Sequence, residues 1–129
     1  MEGIPKVVRQ FVAKHIHSMD VLEILLLLRQ EDRKEWEALE IIKALQLQRA
    51  SVEARLDQLL SVGLLAFREI GTERFYKYQP QTAELVKAVN ELAKWYASHR
   101  VALVSLIFSH HTDEIRTYPD MDRGTEEEK

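Results

Sequence analysis

Cysteine is absent from all 129 residues, which removes disulfides and thiolate metal sites and points to a reducing cytoplasm. Glycine occurs four times and proline three times. No GxSxG elbow, phosphate loop or GxGxxG run is present, and no nucleophile stands in a recognisable setting with a base. The chain is therefore expected to have no catalytic residues and to need no cofactor. Long apolar runs are also missing. The two longest, at 24–28 and 101–108, fall short of the roughly 20 residues that span a bilayer. MEGIPKVVRQ at the start lacks the charged-then-apolar layout of a secretory leader. The expectation is a cytoplasmic protein without membrane contact.

Positive charge is not in excess either. The formal charge is −3, and phosphate contacts need local positive potential. Leaving out the three glutamates and one lysine of residues 125–129, 17 basic residues stand against 18 acidic ones. Duplex DNA stays open as a partner but is not favoured by charge. Five histidines occur, at 15, 17, 99, 110 and 111. His15 and His17 point to different sides of a helix, His110 and His111 diverge, and no cysteine joins them. Zinc needs three or four converging ligands, so no metal site is expected.

What is present is apolar periodicity. Pro5 suits the first position of a helix, and Val8, Phe11, Val12 and His15 or Ile16 continue it over about 5–16. Ser18 or Asp20 then offers a cap to VLEILLLLR at 21–29, apolar on nearly every face and so central. Trp36, Leu39, Ile42 and Leu45 mark a second amphipathic helix over about 35–45. Ser51 is a good cap for a third, with Val52, Leu56, Leu59 and Leu60 on one face and Gly63 at its close. The period then changes: LLAFREI, a turn near 70–73 and RFYKY read as a β-hairpin ended by Pro80. Thr82 caps a last helix that runs on to about residue 109, and 113–129 reads as a tail.

Helix, helix, short break, helix, hairpin is the order of a winged helix-turn-helix. The fold class expected is mainly α with a small β-hairpin wing. It forms one domain over 1–112, with an N-terminal helix at 5–16, a winged-helix core at 18–80 and a long C-terminal helix at 81–109. In DNA-binding members of this architecture the third helix enters the major groove and the wing meets the backbone. The candidates here are Arg49, Ser51, Arg55 and Gln58 on the third helix, with Arg68, Arg74 and Lys77 on the wing. Glu53, Asp57, Glu69 and Glu73 share those surfaces and would repel phosphate.

The stretches SMDVLEILLLLR (18–29), EWEALEIIKALQL (35–47), SVEARLDQLLSVGLL (51–65), YKYQPQTAELVKAVNELAKWY (76–96) and RVALVSLIF (100–108) carry a resemblance. The chain resembles small, largely uncharacterised bacterial winged-helix proteins, distantly MarR-like, over nearly its whole length. That family tends to end in Ile-Arg-Ser-Phe-Ala-Asp-Ala-Phe-Arg. Here Ile115, Arg116, Asp120 and Arg123 match it, while Pro119 and Asp122 depart. The resemblance implies the fold and a regulator-like label, with no settled activity. The leading expectation is a non-catalytic DNA-binding transcriptional regulator; the alternative is a winged-helix adaptor that binds protein and not DNA.

At 100° per residue, Val101, Leu103, Val104, Leu106, Ile107 and Phe108 cover an arc of about 220°. Leaving six such side chains wet would forfeit on the order of 10 kcal/mol. The expected cover is the same helix from a second chain, with Leu92, Tyr96, Leu103, Val104, Ile107 and Phe108 in the seam. The competing possibility is that the N-terminal helix folds back and shields the segment within one chain.

Overall fold

The structure, a computed structural model, describes residues 4–117, with side-chain surroundings for residues 4–108. The chain is mainly helical with one small antiparallel hairpin. Helix α1 spans Lys6–His15 and starts from Pro5, whose carbonyl accepts from Arg9 N–H at 3.0 Å. It buries Val8, Phe11 and Val12. Helix α2, Met19–Gln30, begins at Ser18, whose hydroxyl accepts from the Val21 N–H. Its Val21, Leu22, Ile24, Leu25 and Leu28 are buried from several sides, with α4, the hairpin and α3 packed around it.

Helix α3 starts later than its periodicity predicts, at Ala38, and ends at Leu45. The cause is tertiary: Trp36 is extended and exchanges backbone hydrogen bonds with Tyr76, both 2.7 Å long. Gln46 then takes the left-handed conformation, φ 57°, and turns the chain into α4, Arg49–Val62. Gln48, not Ser51, holds the cap position of α4. Gly63, at φ 94°, closes the helix, a conformation in which a Cβ is strained.

The hairpin pairs β1, Leu65–Ile70, with β2, Glu73–Tyr78, in the register Leu65↔Tyr78 through Ile70↔Glu73. Leu65, Phe67, Tyr76 and Tyr78 share one face, with Leu65 and Tyr76 buried in the core. Thr82 caps α5, Ala83–Ser98, by accepting from the Leu85 N–H at 3.1 Å.

The single long C-terminal helix expected over 81–109 is two helices. α5 stops at Ser98, and α6 runs from Arg100 to Thr117, past the end expected from the sequence. His99 between them is non-helical, with φ −136° and ψ 53°. Its ring stacks on Trp95 with centroids 4.1 Å apart, and its Nδ1 lies 2.8 Å from the Ser98 hydroxyl oxygen. A serine that bonds locally competes with the helical ladder, and here the ladder ends. Of the tail assigned to 113–129, residues 118–129 lie outside the described residues.

The break folds α6 onto α1 and α5. Leu92, Leu103 and Ile107 are thereby buried inside one chain, which corrects their assignment to an intermolecular seam. Tyr96 and Val104 are half-buried, and only Phe108 of the six is exposed. The N-terminal helix thus covers much of the apolar arc. The outward remainder is Val101, 79% exposed, and Phe108, 55% exposed. Seven residues apart, they fall within about 20° of each other around the helix.

Candidate macromolecular interface

The inner stripe of α4 is Val52, Leu56 and Leu59, all fully buried. Helical geometry then fixes what faces outward: Ala50, Glu53, Ala54, Asp57 and Ser61, each exposed. The outward face of the helix expected in a groove carries two carboxylates.

The predicted contacts on α4 sit elsewhere. The Ser51 hydroxyl donates to the Asp20 carboxylate at 2.6 Å, tying the first turn of α4 to the first turn of α2. The Gln58 amide donates to the His15 carbonyl at 3.2 Å, pinning α4 to the end of α1. Arg55 lies on the same half-buried flank, and its Nε is shielded from solvent with no hydrogen-bond partner. Arg49 is exposed, and it pairs with Glu53 at 3.4 Å. Of the four, only Arg49 stands on an open surface.

Two of the three hairpin cations, Arg68 and Arg74, are also engaged. The Arg68 fork donates two 2.7 Å hydrogen bonds to Glu35 and holds that carboxyl below the usual carboxylate range. Arg74 donates to Glu69 at 2.9 Å. Lys77 forms no ion pair among the described residues, although its charge is felt at Glu35. Exposed pairs of this kind are weak and screened by solvent, so each can exchange partners. The surrounding carboxylates stay where they are.

Between α3, α4 and the hairpin lies an open cleft of about 430 Å³. Glu37, Glu53, Asp57 and Glu73 line it against Arg49 and Arg74, leaving two negative charges in excess. Leu39, 47% exposed, forms its apolar wall. Phe67, 48% exposed, extends that wall by stacking on Tyr76, which also lines the cleft. Ile70 is exposed at the hairpin tip. Glu37, Leu39, Phe67 and Ile70 were absent from the sequence-based candidates. The phase of Val52, Leu56 and Leu59 was the available signal that Glu53 and Asp57 face outward.

Among the described residues there is no group of three or more side chains placed to hold a metal ion, and no helix long and apolar enough to cross a membrane. Compared with protein-family models, curated proteins and solved structures, the chain matches none.

Proposed function

We propose that the chain is a winged helix-turn-helix module that uses its α4–hairpin face to bind a protein, acting as an adaptor and not as a reader of DNA. The order α2–α3–turn–α4–hairpin, with Trp36 paired to β2, supports the winged-helix assignment. The observation that carries the functional reading is the outward face of α4. Where a groove-reading helix needs donors and positive charge, Glu53 and Asp57 project from it. The complementary partner is a basic protein segment with apolar side chains, its cations against the four cleft carboxylates and its apolar groups on Leu39 and Phe67. Aromatic and aliphatic anchors of this kind dominate protein interfaces.

The proposal includes self-association, confined to the outer stripe of α6 around Val101 and Phe108. A two-fold pair through that stripe would leave both α4–hairpin faces open.

DNA binding as a transcriptional regulator is the second reading. The element order favours it, as does the freedom of Arg49 to leave a weak pair. Phosphate contact by several cations collapses by orders of magnitude between about 50 and 200 mM salt, whereas an apolar interface does not. Titration with mixed-sequence duplex DNA across that range separates the two. The adaptor reading expects no binding at either end.

A further inference from the structure

Three arginines of the predicted interface are neutralised by neighbouring carboxylates, but three other cations are not. Arg29, Arg33 and Lys77 converge on a recess of about 760 Å³ between the end of α2, the end of β2 and the start of α5. None of them forms an ion pair among the described residues, and Asp32 is the one carboxylate in the lining. The recess therefore carries two positive charges in excess, the opposite sign to the cleft beside α4.

The recess is organised as well as charged. The Arg29 guanidinium is held by two hydrogen bonds to the Asn90 side-chain oxygen, at 3.0 and 3.3 Å, across 61 residues of sequence. A neutral amide fixes the position of the fork and leaves its charge uncancelled. Tyr78 lines the recess beside Arg29, with its hydroxyl shielded from solvent. Burial pushes that phenol above its usual pKa, opposed by the charge of Arg29 and by a hydrogen bond from its guanidinium. Pro80, Val86 and the Tyr78 ring supply apolar surface at the same place.

We propose that this recess binds a small organic carboxylate, with its charge between Arg29, Arg33 and Lys77 and its apolar body on Pro80, Val86 and Tyr78. The carboxylate is preferred to a bare inorganic anion because the lining offers a planar guanidinium fork together with apolar surface. The site is separate from the α4–hairpin cleft, and the inference does not rest on the adaptor reading.

The test is a titration of the ¹⁵N-labelled full chain with sodium benzoate, against sodium chloride at equal ionic strength, read by amide chemical shifts. The expected result is saturable shifts centred on Arg29, Lys77, Tyr78, Gln79 and Asn90 with benzoate and none with chloride. Arg29→Gln and Lys77→Gln should each weaken binding about tenfold, the effect of losing one charge-assisted contact. The remainder of each variant's spectrum reports that the fold is kept. Arg49→Gln, outside the recess, should bind benzoate like the parent. Equal shifts with chloride, shifts scattered over the surface, no shifts, or an affinity unchanged in both Gln variants would each overturn the proposal. Saturable binding by inorganic phosphate at the same residues, without binding of benzoate, would also overturn the assignment of a carboxylate on an apolar body.

Discussion

Replacing Leu103 with alanine tests whether the apolar segment of α6 belongs to its own chain. Leu103 is fully buried, on a helix that packs against α1 and α5. Leu→Ala changes in cores cost about 2–5 kcal/mol, less where neighbours can relax into the space. α6 is a peripheral helix held from one side, so the lower part of that range applies, about 2–3 kcal/mol. With a urea slope of roughly 1–3 kcal/mol per molar, the unfolding midpoint should fall by about 1–2 M. Val101→Ala, on the opposite and open side of the same helix, should stay within about 0.5 kcal/mol of the parent. The assay is urea unfolding followed by circular dichroism at two protein concentrations well apart. An intramolecular Leu103 gives the same loss at both. A loss that grows as protein concentration rises would mean that a second chain covers Leu103. A neutral Leu103→Ala, or a Val101→Ala change of equal size at the lower protein concentration, would refute the orientation of α6.

Two further outcomes follow from contacts around α1 and α4. Asp20→Ala removes the acceptor of the 2.6 Å Ser51 bond and an acid from the first turn of α2; it should cost about 1.5–3 kcal/mol in chemical denaturation, with Asp20→Asn losing less. Burial, and then the charges of Lys14 and His17, lower the His15 pKa below its ordinary value. The folded state then favours neutral His15, so stability is unaffected near neutral pH and falls as pH drops below about 6.5 toward the folded value. His15→Gln should flatten that part of the stability–pH curve, as measured by thermal unfolding between pH 5 and 7 in one buffer series; an unchanged slope would exclude His15 as its source.

The elements legible in the sequence were those fixed by local pattern. Gly63 and Thr82 sit where a helix closes and where one is capped, and the hairpin follows from a change of period at Leu64. Contacts between distant segments were not legible. Trp36 fits a helical stripe, yet it pairs as a strand because Tyr76, forty residues on, offers its backbone. The break at His99 comes from a Trp95 stack and a Ser98 contact that no apolar period records. Among the candidate contacts, Ser51, Arg55 and Gln58 have side chains of the type that reads a groove, all on α4. Their flank was already set by Val52, Leu56 and Leu59, and the structure uses two of the three to bind α4 to α2 and α1. The recess could not be read from the sequence at all, since Arg29, Lys77 and Asn90 come together only in the folded chain.

The proposed adaptor role requires that the α4–hairpin face reject duplex DNA because of the carboxylates of Glu53 and Asp57 on its outward side. Fluorescence anisotropy of labelled duplex DNA tests this most directly, with the parent and a Glu53→Arg, Asp57→Arg variant titrated side by side at about 50 mM salt. The parent should leave the anisotropy flat, and the variant should gain binding that fades as salt is raised. Salt-steep binding by the parent, at an affinity the two reversals barely change, would rule out the adaptor role and return this face to DNA.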